Sequence, residues 1–304
     1  MKYLDPKNDL TFRKIFGQHP HLLKSFLNAM LPLPEGSYIE SLEYLPADMV
    51  PETPLMKYSI VDVRCRDNTG RQFIVEMQMY WTTGFMQRVL FNASKAYVKQ
   101  LDKAYAYDSL QPVYALNLVN EVFETEKTEF YHHYQIVNIA DTEKQLEGLE
   151  FVFVELPKFK PEIFSEKKLQ VLWLRFLTEI DEKSTDISED LLASSEIKEA
   201  LENLRSSAFS KAEMESYDKY WDSVRTEKTL QSGYFNKGRT KGKAEGRTEG
   251  ITEGRIEGRI EGITEGRVVS AENGIRAGLS NEIIKIMTQL SDEEIDALRQ
   301  ELKK

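Results

Sequence analysis

Two short runs rich in β-branched and aromatic residues, YSIVDVRC at 58–65 and QFIVEMQM at 72–79, flank Asp67-Asn68-Thr69-Gly70 and restrict the fold more than any other feature. Period-2 character on both sides of a turn cluster predicts a β-hairpin. Asn68-Thr69-Gly70 fits a three-residue loop: a type I turn closed by a glycine in the left-handed region. That loop pairs Asp67 with Arg71 and, counting back, sets Asp62 opposite Glu76. A two-residue loop would set Asp62 opposite Val75 and turn Glu76 to the other face. Because strand side chains alternate, Glu76 and Gln78 share a face.

Two carboxylates on facing strands repel, so the pair must take up a proton or bind a cation. Hard oxygen ligands suit Mg²⁺ or Mn²⁺ better than zinc. Such an ion lowers the pKa of a bound water and stabilises a phosphorane-like transition state. The plainer reading is that Asp62 is a solvated strand residue and Glu76 pairs with Arg64 or Arg71. The surroundings favour the metal reading. Ile60, Val61, Val63, Phe73, Ile74, Val75 and Met77 make both strands apolar on two faces, a costly place for idle acids.

Around the hairpin, residues 8–31 predict helix, capped by Asn8 or Asp9, divided near Gly17 and Pro20, and ended by Leu31-Pro32-Leu33-Pro34. A strand is expected at 38–45, then a proline-studded loop from Pro46 to Pro54. Val89, Leu90, Ala93, Ala96, Tyr97 and Leu101 give helical spacing over 85–101. PVYALNLV at 112–119 predicts a buried strand, and further strands are expected near 133–140 and 151–156. Residues 165–230 look helical, with a strongly apolar stretch from Leu169 to Leu177.

The net charge of −10 argues at first against nucleic acid. It is unevenly spread, however: 14 basic and 16 acidic residues in 1–130, against 13 and 21 in 131–236. Cation-binding acids would move the first region toward positive potential. The single cysteine, Cys65, excludes an internal disulfide framework and fits a reducing cytosol. No signal-peptide core and no apolar run near 20 residues occurs, so a cytoplasmic protein with no membrane span is expected. His19 and His21 flank a proline and His132-His133 are adjacent. Neither pair has the i, i+4 spacing of helical zinc ligands, and surface positions are expected. No phosphate-binding glycine loop and no G-x-S-x-G elbow occurs.

D-x(13)-E-x-Q on a hairpin, with NDLTFRKIFG (8–17), LLKSFLNAML (22–31), IVDVRCRDNTGRQFIVEMQ (60–78), FMQRVLFNASKAYVKQL (85–101), PVYALNLV and FVFVELPKF (151–159), resembles the PD-(D/E)XK nuclease superfamily. It is most similar to the recombination-promoting nuclease (Rpn) family of transposase-like proteins. The resemblance covers nearly the whole chain, and the hairpin is its most specific part. It implies a restriction-endonuclease-like α/β core, a central mixed sheet flanked by helices, carrying a C-terminal helical extension. It also implies metal-dependent cleavage of DNA. Asp62 and Glu76 map to the motif acids as metal ligands, with the Met77 carbonyl as a further ligand. Gln78 stands at the usual lysine position. Lysine would supply a charge there, whereas glutamine orients water by hydrogen bonds only. Val61 replaces the motif proline. Asp9 falls where some relatives carry an extra acid, with N-capping as the alternative. Arg88 and Tyr97 are candidate DNA-phosphate contacts, with core packing the alternative for Tyr97. A catalytically weak or inactive DNA-binding or assembly protein on the same fold is the competing reading.

The expected organisation is a nuclease-like domain at 1–160, an acidic helical region at 161–232, a tetrapeptide repeat at 233–267 and a helix-turn-helix-like tail at 268–304. In the repeat, glycine recurs every fourth residue from 238 to 266, mostly after glutamate. Each glycine costs about 1 kcal/mol against alanine in a helix. A flexible linker and an oligomerising helix, which would make a homo-oligomer, both fit. Ser280 and Ser291 are expected N-caps of two short helices.

Overall fold

The turn forms as its residues require. Gly70 takes φ +92° and donates its N–H to the Asp67 carbonyl at 3.1 Å, while Asp67 N–H donates to the Arg71 carbonyl at 3.0 Å. The Asp67 carboxylate fixes the loop, accepting from Thr69 N–H at 2.9 Å, Arg71 N–H at 3.0 Å and Arg71 Nε at 2.8 Å. Strands β4 (Val63–Asp67) and β5 (Gln72–Gln78) pair with Val63 opposite Val75 and Arg66 opposite Gln72, the register of the three-residue loop.

The structure, a computed structural model, describes residues 2–49, 59–101, 106–161 and 168–302. Tyr58, at the start of the first run, Pro51 and Pro54 of the proline-studded loop, and the last two residues of the tail lie outside them. Within the described residues the first run is not one strand. Ser59–Ile60 (β3) pairs with Asp48–Met49 (β2), and the chain bends at Val61-Asp62 before β4 begins. The cause is a side chain: Asp62 Oδ2 accepts the N–H of Met77 at 2.7 Å, so a carboxylate takes a place that ladder pairing would otherwise fill.

The main sheet is mixed, in the order β1-β4-β5-β6-β8-β7. Leu42–Tyr44 (β1) pairs antiparallel with β4, a shorter element than the 38–45 strand expected. Val113–Val119 (β6), buried at every position, runs parallel to β5 on one side and to Asp141–Glu155 (β8) on the other. Tyr131–Asn138 (β7) closes the edge against β8 as a hairpin. Helices cover both faces of the three parallel strands, which explains their apolar character. On one face Phe73, Val75, Met77, Leu116 and Val154 meet α1 (Asp9–Phe16), α2 (Pro20–Met30), α4 (Lys168–Glu179) and α6 (Ser195–Asn203). Phe12, Phe16, Phe26 and Trp173 form the aromatic centre of that layer. On the other face Ile74, Ala115 and Phe153 meet α3 (Phe85–Val98). The fold is thus the α/β arrangement expected. The helices after residue 168 share the core with the sheet, and the compact unit runs to Arg225.

At the end of β8, Glu155 is fully buried. It accepts from His132 Nε2 at 2.7 Å, Lys158 Nζ at 2.6 Å and the N–H groups of Phe123 and Glu124, which hold its carboxyl below the usual range despite burial. His132 is therefore a half-buried hydrogen-bond partner of Glu155, not a surface histidine. Glu155→Ala would leave a lysine and a histidine without their shared acid. Chemical denaturation should show a loss of about 3–5 kcal/mol.

The second unit begins at Thr226. The helix α7 (Lys211–Arg276) runs through all eight repeat glycines, and a Cβ on any of them would meet nothing within 4 Å. The repeat is thus helical and exposed. At its end Ala271 packs on Ile284, Leu290 and Ile295 of α8 (Asn281–Thr288), the following turn and α9 (Asp292–Glu301). Ser280 and Ser291 cap these helices, Ser291 in a capping box with Glu294, and Gln289 takes φ 61° in the turn. Among the described residues, no helix is long and apolar enough to cross a membrane.

Candidate active site

The site lies where β5 ends, the carboxyl edge of the parallel strands, at which open α/β sheets place their chemistry. Glu76 and Gln78 project to the α3 side, as alternation requires. The bend at residue 62 brings Asp62 in beside Met77. Each acid has one oxygen fixed by an N–H donor: Asp62 Oδ2 by Met77, and Glu76 Oε1 by Asn92 Nδ2 at 3.1 Å. The second oxygen of each meets an arginine. Arg13 Nη2 is 3.2 Å from Asp62 Oδ1, and Arg88 Nη2 is 3.4 Å from Glu76 Oε2.

Those arginines come from opposite helices. On α1, Asn8 is the N-cap, its side chain accepting from Leu10 N–H, so Asp9 is the first helical residue and is free of capping duty. Asp9 instead holds Arg13 Nε at 2.8 Å across one helical turn, which directs the guanidinium to Asp62. On α3, Arg88 and Asn92 are likewise one turn apart. Arg88 also donates to Gln78 Oε1 at 2.6 Å, and Gln78 Nε2 donates to the Tyr80 carbonyl at 2.7 Å. Both ends of the Gln78 amide are thus engaged, and the glutamine presents Arg88 to the acid pair.

Burial is the main electrostatic fact. It pushes Asp62 up to about 6. The charge of Asp9 adds to this, and the Met77 N–H and Arg13 oppose it. Burial and the neighbouring Asp62 push Glu76 up to about 7, against Arg88, Asn92 and Arg13. Tyr220, on the part of α7 that packs on the same core, is kept protonated by burial and by the charges of Asp9 and Asp62. Among the described residues there is no cluster of three His, Cys, Asp or Glu able to hold a metal. The donor set is therefore two carboxylates with one available oxygen each and neighbouring backbone carbonyls. That set fits a hard divalent cation, whose charge would offset the burial that raises both acids.

Tyr97 is not brought to this site. Its hydroxyl lies 3.2 Å from where a Cβ on Gly148 would stand, midway along β8 and next to Leu149, which lies level with Gln72. That is four strand residues, about 13 Å, from Glu76. The histidines are elsewhere too: His21 pairs with Glu199 and His133 with Glu150. A polar cavity of about 740 Å³ opens at the turn end of the hairpin, lined by Thr69, Arg71, Tyr114 and Glu150, and neither acid lines it. Arg13 and Asn92 were not singled out from sequence. Their only signals were the Asp9/Arg13 and Arg88/Asn92 spacings, and many solvated helix pairs share those.

Residues 6–230 match the PD-(D/E)XK nuclease family transposase model. The chain belongs to this family. The match spans the sheet, the acid pair and the helices up to the start of α7, so the family's unit includes the α4–α6 layer as well as the hairpin. No curated protein and no solved structure matches the chain. Membership gives a nuclease-like, transposase-related protein with DNA as the substrate its family implies.

Proposed function

We propose that the chain is a metal-dependent endodeoxyribonuclease, with Asp62, Glu76 and the Met77 carbonyl holding Mg²⁺ or Mn²⁺ and Asp9 as an outer acid. The observation that carries this reading is the pair of carboxylates, Glu76 buried and Asp62 half-buried, each with one oxygen fixed by an N–H donor and the other facing an arginine. A bound divalent cation would supply an activated water and charge stabilisation at the scissile phosphate. The protein supplies the rest. Met77 N–H and Asn92 set the orientation of the two acids. Arg88, held by Gln78, brings the positive charge that lysine would have provided, and can receive charge developing on the phosphate. Promotion of DNA recombination, or a link to a mobile element, is proposed from the family alone.

The second reading, a catalytically weak DNA-binding protein on this fold, draws on the Gln78 amide, both ends of which are already engaged with protein partners. Nicking of supercoiled plasmid in Mg²⁺ or Mn²⁺, with EDTA as control, tests the two. No cutting in either metal would sink the catalytic reading. Arg88→Ala should slow nicking by about 100-fold or more, and Gln78→Ala by about tenfold, because the glutamine acts through the arginine. Equal effects would refute this division of roles.

A further inference from the structure

We infer that Arg13 is a transferable counter-ion: it neutralises Asp62 in the metal-free protein and passes to a DNA phosphate when a divalent cation takes that oxygen. The inference rests on the metal-binding role proposed for Asp62 and deepens it. Asp62 has two oxygens, and Oδ2 is committed to the Met77 N–H. The oxygen that no N–H group of the backbone holds, and so the more open to a cation, is Oδ1, the one Arg13 touches at 3.2 Å. Arg13 and a cation compete for the same atom.

The two arginines of the site differ in how they are held. Arg88 is fastened to Gln78 at 2.6 Å and lies over the Phe85 ring at 4.9 Å. Arg13 has Asp9 as its firm partner, at 2.8 Å through Nε; the two side chains are equally open to solvent, 44% and 46% exposed, so the difference lies in their partners. The Asp9 contact is made near the base of the guanidinium, so the Nη end can swing while Nε stays in place. A divalent charge beside Asp62 would repel that end, and guanidinium N–H groups match a phosphate in geometry as well as in charge. Metal and DNA should then bind cooperatively. Linkage requires the factor to be the same in both directions.

The test is Mn²⁺ affinity, followed by the electron paramagnetic resonance of free Mn²⁺, with and without a phosphorothioate duplex that resists cleavage. Asp62→Asn serves as the site control, and circular dichroism checks each fold. In the wild type the duplex should tighten Mn²⁺ binding about fivefold or more. Without DNA, Arg13→Gln should bind Mn²⁺ roughly three- to tenfold tighter, since its competitor is gone, and the duplex should then change affinity less than about twofold. Arg13→Lys, a cation without the fork, should fall between. Unchanged or weaker Mn²⁺ binding by Arg13→Gln, or full retention of the coupling, overturns the role of Arg13 while leaving the metal site standing. If no Mn²⁺ binding is lost on Asp62→Asn, the metal site and this inference fall together.

Discussion

Asp62→Asn should reduce metal-dependent nicking by at least about 10³-fold, with the folded protein intact. Asparagine keeps an oxygen that can accept the Met77 N–H, so the bend at residue 62 survives. What goes is the charge, and with it a ligand for the cation. A loss of 10³ corresponds to about 4 kcal/mol of transition-state stabilisation, within the range for an electrostatic element of a site. Glu76→Gln should behave alike, since the amide oxygen can still accept from Asn92 while the charge and the contact to Arg88 are lost. The experiment is single-turnover cleavage of a labelled duplex. Activity within tenfold of wild type in either variant would show that the acids are structural.

In EDTA, the protein should lose stability as pH rises from about 5 to 8, and Mn²⁺ or Mg²⁺ should restore it only at the upper end. The sign follows from the direction in which the fold moves the two acids. Asp62 and Glu76 are both raised, to about 6 and about 7, so the fold prefers them protonated. Their contribution is fully present below the unfolded values near 4 and is lost as pH climbs through 6 and 7. Every tenfold gain in proton affinity on folding is worth about 1.4 kcal/mol, which gives a total fall of roughly 3–6 kcal/mol. Tm should drop on the order of 10 °C. On the proposed metal role a cation would bind the ionised pair, which only the folded chain assembles, so added metal should offset the loss at pH 8 and do little at pH 5. Glu76→Gln should remove about half of the pH dependence. A flat profile in EDTA from pH 5 to 8 would contradict the electrostatics described for the pair.

The hairpin was legible because its information is local. A glycine ending a three-residue loop selects one register, and alternation then assigns Glu76 and Gln78 to one face. The nearly all-apolar run at 113–119 likewise marks a strand covered on both sides. The bend at Val61-Asp62 was not legible, because its cause is a hydrogen bond to Met77, fifteen residues away. From sequence the run reads as an unbroken strand. The site was legible in its acids and not in its supports. Asp62 and Glu76 stand out as charges among apolar strand residues, whereas Arg13 and Asn92 sit on amphipathic helices where a polar residue is ordinary. Gln78 was expected to orient water; its amide is instead occupied by Arg88 and Tyr80, contacts that need the fold of the loop after β5. Tyr97 was a candidate phosphate contact with core packing as its alternative; α3 runs back along the sheet, so its last turn lies at the opposite end from Glu76.

Among the described residues, the side chains that hydrogen-bond to the acid pair come from the first 92 positions, and the strand supporting β5 is complete by Val119. Tyr220 follows on α7. At a synthesis rate of roughly 5–20 residues per second, the interval between Asn92 and Tyr220 leaving the ribosome is about 6–25 s. During that interval the growing chain already carries both acids and both arginines. The order of synthesis therefore separates assembly of the carboxylate edge from arrival of the helix that brings Tyr220 beside it.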